Sequence, residues 1–74
     1  MKTMTTPTEV SLNGQPVQTD AETTLQQLLQ QRGYDLQAAF ACAVNARFVP
    51  RPQWPQCRLN PGDRIDVITP VTGG

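Results

Sequence analysis

The chain contains no histidine in its 74 residues. That removes the one side chain that ordinarily titrates near neutrality, the commonest metal ligand and the usual base beside a nucleophilic cysteine. Cysteine is scarce too: Cys42 and Cys57 are the only two, too few for a disulfide-stapled scaffold, and both are read as free thiols. Cys42 sits in an apolar run and is expected to pack as a small core residue, whereas Cys57 follows Pro55-Gln56 in a loop-like stretch within reach of solvent. No stretch approaches the roughly 18 apolar residues of a membrane span, and residues 1–8 have no apolar signal-peptide core. A cytoplasmic protein with no membrane partner is expected. Charge of either sign is lacking in excess, with six Lys plus Arg against six Asp plus Glu. Without a basic surplus, nucleic acid is a poor candidate for the main partner. The balance is nevertheless uneven. Residues 1–37 carry Lys2 and Arg32 against Glu9, Asp20, Glu22 and Asp35, a net of −2, and residues 38–74 carry Arg47, Arg51, Arg58 and Arg64 against Asp63 and Asp66, a net of +2. Bulk is also lacking, since a chain of this size buries only about 60% of its unfolded surface and has little volume for an internal active site.

What is present reads as a small α+β domain. Glu9-Val10-Ser11-Leu12 alternates polar and apolar residues, the period of a half-buried strand. Asn13-Gly14 then predicts a type I′ hairpin turn, with residues 15–19 returning as a second strand. Thr24 and Gln27 have capping-box spacing, and Leu25, Leu28 and Leu29 form one apolar stripe of a short helix. Arg32 suits its C-terminal end, and Gly33 is placed for a left-handed stop. Residues 40–44 and Phe48-Val49 read as a second antiparallel pair turning near Asn45. Pro50, Pro52 and Pro55 then exclude a central strand, leaving a rigid loop that holds Trp54 as a lid over the core. Asn60-Pro61-Gly62-Asp63 predicts a type II turn and residues 64–69 a last strand ended by Pro70. A helical crossover lets that last strand pair centrally and in parallel with the first. The expected architecture is a mixed sheet of four to five strands with one main helix on one face.

The chain finishes Thr72-Gly73-Gly74. Two residues without side chains, tipped by a carboxylate, can enter a channel that any Cβ would obstruct. The expected organisation is a disordered lead over residues 1–8, a domain over residues 9–70 and a flexible tail over residues 71–74.

Pro61-Gly62-Asp63-Arg64-Ile65-Asp66-Val67-Ile68, followed by Pro70-Val71-Thr72-Gly73-Gly74, resembles the end of the ubiquitin-like sulfur carriers. Ala43-Val44-Asn45, Val49-Pro50-Arg51 and Gln53-Trp54 are similar to the thiamine branch of that family, and the first helix fits as well. The resemblance covers nearly all of residues 9–74. It departs in the extra lead at the N-terminus, where Met4 competes with Met1 as the start, and in a loop stiffened by Pro52 and Pro55.

That resemblance implies a ubiquitin-like β-grasp fold and a chain that is a co-substrate, with no catalytic residue, metal or bound cofactor of its own. Gly74 is the residue modified: an adenylating enzyme would use ATP and Mg²⁺ to activate its carboxylate. A persulfide from a sulfur donor such as a cysteine desulfurase would then convert it to a thiocarboxylate, directly or through a covalent acyl step on a partner cysteine, and thiazole synthase would receive the sulfur. Thr72 and Gly73 would thread the partner's channel. Ile68, outward on the last strand, and Val71 beside it form the expected docking spot. The rival readings are the small subunit of molybdopterin synthase, which uses the same tail chemistry, a ubiquitin-like protein modifier, and a binding module with an idle tail.

Overall fold

The computed structural model describes residues 7–69. Strands β1 (Pro7–Leu12) and β2 (Gln15–Asp20) pair antiparallel from Pro7↔Asp20 to Leu12↔Gln15. Asn13 and Gly14 join them at φ 52° and 84°, the positive values a type I′ turn requires. Thr24 then caps α1 (Leu25–Gln31). The Gln27 amide donates to the Thr24 hydroxyl at 3.2 Å and the Thr24 amide to Gln27 Oε1 at 3.0 Å, a complete capping box. At the other end Gly33 adopts φ 89°, and the Tyr34 amide reaches back to the Leu29 carbonyl at 3.0 Å, closing a Schellman stop.

Strands β3 (Ala41–Val44) and β4 (Arg47–Phe48) form a second hairpin around Asn45 and Ala46, both at positive φ. A 3₁₀ helix (Arg51–Gln56) follows, then the turn at Gly62, φ 85°, and β5 (Arg64–Ile68). The sheet order is β2-β1-β5-β3-β4, with β5 parallel to β1 and antiparallel to β3. Two hairpins flanking a central parallel pair, with one helix across the sheet, are the β-grasp arrangement.

One face of this sheet is dry. Val10, Leu12 and Val17 from the first hairpin meet Leu25, Leu28 and Leu29 of α1, with Cys42, Trp54, Leu59 and Ile65 completing the core. The three helix leucines are fully buried, so replacing Leu28 by Ala is expected to cost about 2–5 kcal/mol, readable by urea denaturation.

Five expectations need correction. The strand predicted from Glu9 starts at Pro7, so Pro7 and Thr8 belong to the sheet rather than to a disordered lead. Thr8 pairs with Thr19 and points to the same side as Val10 and Leu12, where it is 1% exposed; its β-branched side chain suits a pleated, buried position. The loop around Trp54 is a 3₁₀ helix, and Trp54 is a core residue at 2% exposure instead of a lid. Its indole N–H donates to the Val49 carbonyl at 2.9 Å, which makes full burial of that polar atom tolerable. β4 stops at Phe48, because Pro50 has no amide to extend the ladder, although the Val49 amide still bonds the Cys42 carbonyl at 2.9 Å. Finally, Phe40 precedes β3, and the last strand ends at Ile68, one residue short of the prediction.

Candidate functional site

The C-terminal residues follow directly on β5, so the anchoring of that strand fixes the point from which they start. Its start is fixed by a polar network. The Asp63 carboxylate accepts from the Asn60 amide and from Asn45 Nδ2, each at 2.9 Å, and Asn45 Oδ1 accepts from the Arg64 amide at 2.9 Å. Asp63 is nearly buried, and these partners replace the water it has lost. Farther along, β3 holds one edge of β5 through Val44↔Ile65, Ala43↔Asp66, Cys42↔Val67 and Ala41↔Ile68. On the other edge β1 pairs only at Ser11↔Arg64 and Leu12↔Ile65 before turning away.

Alternation along β5 buries Ile65 and turns Ile68 outward, where it is 54% exposed. Its cross-strand partner Ala41, together with Ala43 and the Phe48 opposite Ala43, lies on the same outer face. Phe48 is 66% exposed. Ile68 and Phe48 are the only large apolar side chains so exposed among the described residues, and they flank two alanines that leave room between them. A shallow hollow of about 370 Å³, lined by Ala39, Phe40, Ala41, Arg51 and Ile68, opens at the Ile68 end of this face. Arg64 and Asp66 lie alongside with a 3.4 Å ion pair, exposed and therefore of little energetic weight.

Sequence reasoning placed Ile68 correctly and missed Phe48. The signal available was parity: Cys42 is inward, so Ala43 is outward, and the residue opposite Ala43 must share its face. Val71, Thr72, Gly73 and Gly74 lie outside the described residues.

Both thiols are shifted toward their protonated form. Burial, helped by the nearby Cys57, pushes Cys42 up from the usual 9.0 to about 11. Cys57 is raised as well, by partial burial first and by the Asp63 carboxylate second. The thiolate, which is the nucleophilic form, is therefore disfavoured at both positions. Among the described residues no three His, Cys, Asp or Glu side chains gather as a metal site.

The stretch from Val49 to Trp54 proves architectural. The Arg51 guanidinium lies 4.5 Å from the Trp54 ring centroid and 5.1 Å from that of Phe40, while those two rings stack at 5.2 Å. Arg51 also donates to the carbonyls of Leu36, Ala38 and Phe40. It thus pins the segment between α1 and β3, a region with no regular structure of its own.

The ThiS family model matches residues 10–74. The chain is 36% identical over 66 residues to the sulfur carrier protein ThiS of Escherichia coli (strain K12), spanning 89% of this chain and 98% of that protein. Its fold matches the crystal structure of the thiamine biosynthesis protein ThiS from Geobacter metallireducens with a TM-score of 0.75 at 18% identity, over 89% of this chain and 99% of the other. With a sheet order, a helix crossover and a sequence match that runs to the final glycine, the chain belongs to the ThiS family.

Proposed function

We propose that this chain is a sulfur carrier of thiamine biosynthesis, and that the Gly74 carboxylate is the group charged. The observation that carries the reading is the family match extending through Gly74. The fold contributes a rigid handle; the reacting atoms sit at its end.

A carboxylate resists substitution because oxide is a poor leaving group. Attack of a Gly74 carboxylate oxygen on the α-phosphorus of ATP, with Mg²⁺ held by the activating enzyme, gives the acyl-adenylate and releases pyrophosphate. The terminal sulfur of a persulfide then attacks the acyl carbon and AMP departs with the bonding electrons. A thiol cleaves the S–S bond of the resulting acyl persulfide, leaving the thiocarboxylate on Gly74 and a disulfide on the donor side. Thiazole synthase is the acceptor that consumes the sulfur and returns the carboxylate. ATP and Mg²⁺ act within the partner.

The handle works by geometry. Five residues follow Thr69, ending with Gly74, enough to reach at most about 17 Å when extended. That length fits a partner channel whose mouth docks near Ile68. The outer-face apolar pair, Ile68 and Phe48, supports docking there, with Val71 as the expected extension of the same surface. Gly73 and Thr72 then thread the channel.

Intact-mass measurement tests the assignment. Incubation with a ThiS-activating enzyme, ATP, Mg²⁺ and a persulfide donor should exchange one oxygen for sulfur at the C-terminus. No mass change, with a relative converted under the same conditions, refutes it. Conversion by a molybdopterin-branch activating enzyme alone would reassign the pathway.

A further inference from the structure

The parallel pairing of β1 with β5 ends early, and one side chain continues it. The Ser11 amide donates to the Asp63 carbonyl at 2.9 Å and the Asn13 amide to the Ile65 carbonyl at 2.8 Å. The next donor on that edge of β5 is the Val67 amide, but β1 has by then entered its turn. Asn13 Oδ1 takes the place of the missing backbone carbonyl and accepts from the Val67 amide at 2.8 Å. Its Nδ2 in turn donates to the Tyr34 hydroxyl at 3.3 Å, at the foot of α1. Beyond Val67 no hydrogen bond to the β1 side is present among the described residues, while β3 still pairs with Ile68 on the opposite edge.

We propose that Asn13 is a positioning residue for sulfur loading: its side chain is the last clamp on the β1 edge of β5 and fixes the direction of the strand end at Ile68. The role rests on the sulfur-carrier reading given above. A strand held on one edge only pivots about its remaining ladder, so its end at Ile68 sweeps a wider cone. A wider cone lowers the effective concentration of the terminal carboxylate at a docked partner's channel without altering the chemistry inside. The signature is therefore an effect on KM with kcat preserved. The turn favours this design. Asn tolerates the φ of 52° at position 13 and carries an acceptor of the right length, which glycine, equally at ease in the turn, does not.

That difference supplies the test. Asn13→Gly keeps the turn backbone and deletes both the acceptor for Val67 and the Nδ2 donor to Tyr34; Asn13→Asp keeps the acceptor; Tyr34→Phe removes only the outer hydrogen bond and so separates the two losses. Hydrogen exchange by NMR should show the Val67 amide exchanging about 2–10-fold faster in Asn13→Gly, the range for loss of one ordinary hydrogen bond. ATP–pyrophosphate exchange with a ThiS-activating enzyme should show KM for the carrier raised by a similar factor at unchanged kcat. Asn13→Asp and Tyr34→Phe should stay close to wild type in both measurements. Val67 exchange or KM unchanged in Asn13→Gly overturns the proposal, as does a fall in kcat alone. A wild-type chain that supports no pyrophosphate exchange overturns the sulfur-carrier reading and the steering role together, whereas a normally active wild type matched by Asn13→Gly overturns the steering role only.

Discussion

Removing the Arg51 side chain should destabilise the domain while leaving the transfer chemistry of each folded molecule intact. Arg51 is exposed at its edges, so the carbonyls of Leu36, Ala38 and Phe40 would be rehydrated on its loss, and each hydrogen bond is worth nearer 0.5–1 kcal/mol than the roughly 1.5–3 of a dry charged bond. Stacking on the rings of Phe40 and Trp54 adds about 0.5–1 kcal/mol at a partly exposed site. Because these contacts share one exposed side chain they do not add fully, and about 1–3 kcal/mol is the expected loss for Arg51→Ala. A 74-residue domain holds only about 4–11 kcal/mol in total, so the loss is a large fraction. Each kcal/mol moves the midpoint of a domain this size by about 4–8 °C, which puts the expected fall at about 5–20 °C by differential scanning calorimetry. Arg51→Lys should recover little, since an ammonium cannot span three carbonyls and two ring faces with fixed planar geometry. Thiocarboxylate formation, measured well below the midpoint and normalised to folded protein, should match wild type. A loss under about 0.5 kcal/mol would refute the clamp. A collapse of transfer in a fully folded variant would instead make Arg51 a contact for the partner.

Gly73→Ala should leave the melting temperature unchanged and depress adenylation about 100-fold, the scale of a reacting group displaced by roughly an ångström; normal adenylation would remove the case for a narrow channel. Ile68→Asp places a charge on the outer apolar face and should weaken affinity for the activating enzyme at least about 10-fold by isothermal titration calorimetry; equal affinity would exclude that face. Cys42 makes stability pH-dependent at the alkaline end. Its folded pKa of about 11 lies above the unfolded 9.0, so the folded state holds the proton longer. The contribution is full below pH 9 and lost as pH rises to 11, about 2–3 kcal/mol by linkage. Urea denaturation across that window should show the decline in wild type and a shallower one in Cys42→Ala; identical slopes would mean that the thiol is not buried as described.

Features made by neighbouring residues were legible in the sequence. The capping box of Thr24 and Gln27, the left-handed Gly33, the Asn13-Gly14 turn and the positive φ at Gly62 each depend on backbone geometry within a few positions, so residue type and spacing suffice to find them. The outward setting of Ile68 follows equally from the two-residue period of a strand. The Gly-Gly ending is likewise a property of the chain itself, and the chemistry proposed for Gly74 needs no fold to be stated.

Contacts between residues distant along the chain were decided by tertiary structure. The bond from the Val67 amide to Asn13 spans 54 positions, and no local signal assigns a turn asparagine to an edge that the helix crossover brings beside it. Thr8 reads as part of a polar lead until pairing with Thr19 turns it inward. Trp54 and Arg51 read as loop residues because three prolines break the pattern, yet a single aromatic needs a site large enough to bury it, and only the assembled sheet, helix and 3₁₀ turn provide one. Phe48 joins Ile68 on one face through two successive strand registers, and register is set by the packing of the opposite face. Local geometry wrote the elements and the tail. Burial, which depends on the whole sheet at once, chose what surrounds them.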